Sequence, residues 1–250
     1  MTPTTQSAEL VSLNPATGAE VARVAVTTPE ALNATVERAW HAFHHSGWKS
    51  LLPHKRALVL HAIADGLVAE KESLARLQMQ DNGKPLGECR GMVESAIGTF
   101  RYYAGVCETL ETDVTPARGD YVSFTVLEPF GVVAAITPWN SPIMNDATKV
   151  APALAAGNAV ILKPSEDSPL LAPELARIAR AAGLPQDLLQ VVQGRGADVG
   201  AYVLARDVFK AQGPDSLLSI STNFRSCTSI LAFVNARFEA VLSAAGQPGF

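Results

Sequence analysis

The sequence predicts an α/β fold: a parallel sheet preceded by N-terminal helices and followed by a helical C-terminal segment. Three observations predict it. Three short apolar runs, Gly131–Thr137, Ala159–Leu162 and Leu188–Val192, have strand length and no alternation, which suits strands covered on both faces. Helix-like segments separate them. One spans Asn145–Ala156 and stops at Gly157-Asn158; the other opens at Ser168-Pro169, carries the stripe Leu171, Leu175, Ile178, Ala179 and Ala182, and ends at Gly183 and Pro185. Finally, polar residues gather where the runs stop: Trp139, Asn140, Lys163 and Glu166 all fall at carboxyl ends, where open α/β sheets bind ligands. Pro138 and Pro142 stop the first strand and pin the loop between them.

Taken in order, residues 1–12 read as a disordered tail. Asn-Pro and Thr-Gly within Leu13–Gly18 are turn signals, and Glu20–Val26 alternates as a strand does. Thr28-Pro29-Glu30 combines an N-cap hydroxyl, a first-turn proline and an acidic residue at the helix's positive end, so a helix runs to about His45. A second helix begins at Pro53, with Leu60, Ile63, Ala64, Leu67 and Val68 on one face. A third, shorter helix leads into the turn Asp81-Asn82-Gly83-Lys84-Pro85. A long helix then reaches about Leu110 with Val93, Ala96, Ile97, Phe100, Ala104 and Cys107 on one side. Tyr121–Leu127 alternates as a strand after the turn at Gly119.

Composition excludes several classes of function. A chain of 250 residues with 48% apolar residues and a net charge of −4 holds a sizeable core and presents no basic field to nucleic acid. No apolar run reaches membrane-spanning length, and the polar Met1–Ser7 lacks the apolar stretch of a signal peptide, so a cytoplasmic, membrane-free protein is expected. The three cysteines, Cys89, Cys107 and Cys227, are odd in number and far apart, which fits neither a disulfide framework nor a zinc site. His41, His44, His45, His54 and His61 lack a carboxylate frame and read as surface histidines near helix ends. No metal site is expected.

Glu-Pro-Phe-Gly-Val-Val (128–133), Thr-Pro-Trp-Asn (137–140), Pro-Ala-Leu-Ala-Ala-Gly-Asn (152–158) and Leu-Lys-Pro-Ser-Glu (162–166), in this order and spacing, closely resemble the NAD(P)-dependent aldehyde dehydrogenases. The resemblance runs from about Leu13 to Gly194 and implies a Rossmann-like parallel sheet, truncated here to three strands. It implies a nucleotide cleft lined by Ile136, Thr137, Pro138 and Trp139. In that cleft Lys163 and Glu166 contact the adenosine ribose, Ser165 joins the cofactor-binding set, and Gly196 and Gly200 match the family's glycines. A carboxylate that accepts ribose hydroxyls repels a 2′-phosphate, so Glu166 favours NAD over NADP. On spacing alone, Lys163 and Glu166 read equally well as a solvated pair after a strand. Gly194–Gly200 is GxGxxxG, one residue too long for the usual dinucleotide fingerprint.

The family oxidises an aldehyde to an acid through a cysteine thiohemiacetal, with a glutamate as general base. Asn140 matches the asparagine whose amide N–H stabilises the oxyanion; it also reads as a turn residue capping the next helix. The family's Phe-Thr-Gly-Ser segment, and the nucleophile and base beyond it, have no counterpart here. Cys89 and Cys107 fall on helix faces as core filler. The resemblance further implies association, with itself or with intact family subunits, through an arm over 113–128.

From about Arg195 the sequence resembles a different family. Arg-Gly-Ala-Asp (195–198), Asn-Phe-Arg-Ser (223–226) and Ile-Leu-Ala-Phe-Val-Asn (230–235) are similar to a piece of the RecB-like superfamily 1 DNA helicases, with Arg225 matching an arginine that reaches ATP phosphates. No GxxxxGK[ST] loop accompanies it. A fusion with its joint in Gly194–Gly200 is the expectation, and three readings stand: an aldehyde dehydrogenase by ancestry with little turnover, a non-catalytic nucleotide-binding or association fragment, or a helicase remnant.

Overall fold

The structure, a computed structural model, describes residues 9–116, 119 and 123–196. These lie in the first of two units, Met1–Val208. Its elements are β1 (Glu9–Leu13), β2 (Glu20–Ala25), α1 (Pro29–His45), a 3₁₀ turn (Trp48–Ser50), α2 (Pro53–Ala69), α3 (Lys71–Asn82), α4 (Leu86–Thr109), β3 (Val132–Ile136), α5 (Pro142–Ala155), β4 (Ala159–Lys163), α6 (Leu171–Ala181) and β5 (Leu189–Val191).

The expected parallel sheet is present. β4 is central, paired in parallel with β3 from Val132–Ala159 to Ile136–Lys163 and with β5 from Val160–Leu189 to Leu162–Val191. All five residues of β4 are buried, which explains its unbroken apolar run. β1 and β2 form a separate antiparallel hairpin. β1 begins inside the stretch expected to lack structure, and residues 1–8 fall outside the described ones.

α1 starts as its sequence dictates, with the Thr28 hydroxyl accepting from Ala31 N at 3.2 Å and Pro29 in the first turn. The stripe of α2 is buried at Leu60, Ile63, Ala64 and Leu67, but Val68, read as part of it, is exposed. The whole predicted face of α4 is buried, with Cys89 added to it. α2 packs on α6 at a glycine: a Cβ built on Gly66 would lie 2.6 Å from Ile178 Cγ2.

Two boundaries differ from expectation for identifiable reasons. Pro142 opens α5 rather than ending the loop, because a first-turn proline gives up no helical hydrogen bond. Helix α6 starts at Leu171, not Ser168, because the Ser168 hydroxyl donates to Asp81 Oδ2 at 3.2 Å instead of capping. Asp81 also accepts from Ser12 Oγ at 2.6 Å and Leu170 N at 3.1 Å, tying β1, α3 and the α6 entry to one carboxyl. The segment read as a strand at 121–127 pairs, among its described residues, only through the single bridge Val114–Phe124.

The carboxyl end of α5 is received by side chains from elsewhere. Trp48 Nε1 donates to Leu154 O at 3.2 Å, Arg56 Nε to Ala155 O at 3.0 Å, and Asn158 Nδ2 to Ala153 O at 3.1 Å. Gly157, at φ +90°, closes the helix by donating to Leu154 O.

Candidate functional site

Three of the residues that the family resemblance assigns to the cleft meet. Lys163, the last residue of β4, is buried and donates from Nζ to Pro164 O at 2.9 Å, with Glu166 Oε2 at 3.5 Å. Gly196 N approaches the other carboxylate oxygen, Glu166 Oε1, at 3.4 Å. Burial pushes the Lys163 ammonium below its ordinary value, and the Glu166 carboxylate partly offsets this. Burial also works against the charge on Glu166, but its own backbone N–H, the Lys163 ammonium and the Gly196 N–H together outweigh it and hold the carboxyl below its usual range. Ser165 shapes the turn: its hydroxyl accepts from Asp167 N at 3.3 Å. The result is an ammonium and a half-buried carboxylate, a donor–acceptor set suited to the hydroxyls of a sugar.

The exit of β3 supplies a second group. Ile136 is half-buried, Thr137 buried, and Pro138, Trp139 and Asn140 exposed. Thr137 N donates to Lys163 O at 3.1 Å, so the ends of β3 and β4 are joined at the two predicted regions. Asn145 Nδ2 donates to Asn140 Oδ1 at 3.2 Å, which orients the Asn140 carboxamide with its own N–H groups as the donor side. Asn82 Nδ2 donates to Trp139 O at 3.3 Å.

Sequence reasoning missed Asn82, Asn145 and, above all, Asp146. Asp146 lies on the buried stripe of α5 with Ile143, Ala147 and Val150. The Thr137 hydroxyl donates to its Oδ1 at 2.7 Å, while its Oδ2 is buried with no partner among the described residues. Burial raises its carboxyl to about 7 against the opposing Thr137 hydrogen bond. An acid on an otherwise apolar stripe was the available signal.

Cys89 and Cys107 are buried, and the Cys107 thiol lies against Pro53 O and Ala155 O, which is a core position and not a cleft. Among the described residues no three metal-ligating side chains gather, and no helix is long and apolar enough to cross a membrane. His41 and His45 line a surface depression with Arg38 and Asp187, by the amino end of β5 rather than the carboxyl ends. Gly200, Cys227 and Arg225 lie outside the described residues.

The chain matches the profile of the "Aldehyde dehydrogenase family" over residues 2–211, so the match passes through Gly194 instead of halting there. It is 32% identical over 265 residues to the (Z)-2-((N-methylformamido)methylene)-5-hydroxybutyrolactone dehydrogenase of Acinetobacter baylyi, covering 96% of this chain and 54% of that one. It is 39% identical over 190 residues to the NADP/NAD-dependent aldehyde dehydrogenase PuuC of Escherichia coli, covering 76% of this chain and 38% of that one. Among solved structures it resembles the aldehyde dehydrogenase KauB of Pseudomonas aeruginosa with a TM-score of 0.76 at 37% identity, over 77% of this chain and 39% of that one. Betaine aldehyde dehydrogenase of Staphylococcus aureus, solved in complex with NAD+, gives a TM-score of 0.74 at 32% identity, over 77% and 38%. The chain thus spans about half the length of these relatives or less. With the family's motifs at the strand ends and its profile across 2–211, the chain belongs to the aldehyde dehydrogenase family.

Proposed function

We propose that this chain is the nucleotide-binding portion of an NAD-linked enzyme that oxidises an aldehyde to a carboxylic acid. The observation that carries the reading is the meeting of Lys163, Glu166 and Gly196 at the carboxyl end of β4. Glu166 accepts the ribose hydroxyls, Lys163 supplies a donor beside them, and the Gly196 N–H borders the same oxygen. A carboxylate there favours NAD over NADP, since a 2′-phosphate would meet its charge. When bound, the nicotinamide accepts a hydride. Trp139 and Pro138 flank the cleft, and the Asn140 amide N–H faces an aldehyde-derived oxyanion.

The two described thiols, Cys89 and Cys107, are core groups, so neither is expected to act as the nucleophile. Mixed with NAD and an aliphatic or aromatic aldehyde, the chain should bind the nucleotide in calorimetric titration yet form no NADH by absorbance. Absence of binding would overturn the nucleotide reading. NADH formation would overturn the expectation of no turnover, and reduction that survives loss of both Cys89 and Cys107 would show that neither thiol is the nucleophile.

A second reading is a subunit-association fragment that joins itself or intact family members. It is favoured by the apolar residues exposed along the arm, Val114, Phe124, Val126 and Leu127. Size-exclusion chromatography alone and beside a full-length enzyme tests it. Residues 195–211 of the stretch read as RecB-like helicase fall within the aldehyde dehydrogenase profile, so a helicase remnant is not proposed.

A further inference from the structure

Asp146 is a buried acid whose placement is energetically costly. It is 1% exposed and lies among Ile143, Ala147 and Val150 on a helix face whose other buried residues are all apolar. One carboxyl oxygen accepts the Thr137 hydroxyl at 2.7 Å, and the other is buried with no partner among the described residues. An unpaired buried oxygen is costly, and a well-packed apolar side chain at such a position is usually the more stable choice. Its location indicates what the cost secures.

Thr137 is the first residue after β3 and is held from two sides. Its N–H donates to Lys163 O at the end of β4 (3.1 Å), and its hydroxyl donates to Asp146 on the second turn of α5. Between these anchors the chain makes the exposed excursion Pro138–Trp139–Asn140, then enters α5 at Pro142. The Thr137–Asp146 bond therefore closes the mouth of the loop that carries the two exposed groups of the cleft.

We propose that Asp146 is the positioning residue of the cleft: by accepting the Thr137 hydroxyl it fixes the 138–140 loop against α5, and so sets where Trp139 and Asn140 stand relative to Lys163 and Glu166. The proposal rests on the nucleotide-cleft reading, and Asp146 itself touches no ligand. An acceptor is required at this point, because the Thr137 hydroxyl would otherwise be a buried donor facing an apolar stripe. A carboxyl one turn into α5 reaches it where a backbone carbonyl of the helix is already engaged along the axis.

The test uses the full chain, with two readouts. Calorimetric titration measures NAD affinity. Emission anisotropy and iodide quenching of Trp139, isolated by difference against Trp139→Phe, measure the order of the loop without any ligand. Trp139 suits this, being exposed while Trp48 is buried and Trp40 partly buried. Asp146→Ala and Thr137→Val each should weaken NAD binding about ten-fold, the worth of one buried hydrogen bond, and make Trp139 more mobile and more readily quenched. The double variant should be no worse than Asp146→Ala alone, because both remove the same bond. Asp146→Asn, which keeps an acceptor oxygen, should restore the order of Trp139. Should Asp146→Ala lower stability while leaving Trp139 and NAD affinity unchanged, the residue is merely structural and the proposal is overturned. If Asp146→Ala does not fold, the near-isosteric Thr137→Val decides by the same criteria. If the unaltered chain binds no NAD, the nucleotide reading fails, and the ligand-free Trp139 signal still decides whether Asp146 orders the loop.

Discussion

Lys163 and Glu166 sit on opposite sides of the Pro164-Ser165 turn with Nζ 3.5 Å from Oε2, and the second Glu166 oxygen faces the Gly196 N–H. The lysine is buried and the glutamate half-exposed, so the carboxylate is the member of the pair that a ligand can reach. Glu166→Ala should weaken NAD binding about ten- to a hundred-fold while leaving NADP binding less affected, which narrows the preference between them. Titration of each nucleotide into the variant checks this, and an unchanged NAD affinity would remove Glu166 from the site.

Asp146 gives stability an unusual pH dependence. Its carboxyl lies at about 7 in the folded chain against 3.8 for an ordinary one, so the folded state holds this proton more tightly than the unfolded state. Its contribution is therefore most favourable below about pH 4, worsens as pH rises towards 7, and levels off above. A separation of about three pH units corresponds to about 4 kcal/mol. Urea titrations at pH 5 and pH 8 should show Asp146→Asn gaining a few kcal/mol on the unaltered protein at the higher pH. Equal differences at both would show that Asp146 is ionised throughout.

Asp81 holds three donors, from Ser12, Ser168 and Leu170. Asp81→Ala leaves all three without their acceptor and should cost about 3 kcal/mol in urea denaturation. Ser12→Ala should cost about 1 kcal/mol, because the carboxyl keeps its other two donors.

Gly66→Ala should be destabilising although alanine is the better helix former by about 1 kcal/mol. The added carbon would stand 2.6 Å from Ile178 Cγ2, and such overpacking typically costs about 1–3 kcal/mol. Combined with Ile178→Ala, the two changes should cost less than their sum in thermal or urea melts. Simple additivity would show that Gly66 is not the contact point of α2 and α6.

What could be read from the sequence was local or strongly periodic. The three apolar runs became β3, β4 and β5 because burial on both faces leaves an uninterrupted signature, and Thr28-Pro29 opened α1 because a cap needs only its near neighbours. Lys163, Glu166 and Gly196 were assigned to the cleft through the family resemblance, and the fold brings the three side by side. Ser168 was misread as a cap because its real partner, Asp81, is 87 residues away, a distance no local rule spans. Val68 fits its stripe in spacing, yet no neighbour covers it. Asp146 escaped notice because a single acid in an apolar stripe carries no motif, and its meaning depends on Thr137 arriving from a different element.

The last turn of α5 is wired to three places at once, through Trp48, Arg56 and Asn158. Arg56 also brings a cation to the negative pole of that helix. Sliding or tilting α5 would break all of these links together, so the helix behaves as a fixed post. Whatever accommodation a guest molecule demands must come from the short connections beside the post, at 138–141 and 164–167, which lie outside both that framework and the Asp81 junction at 168–170.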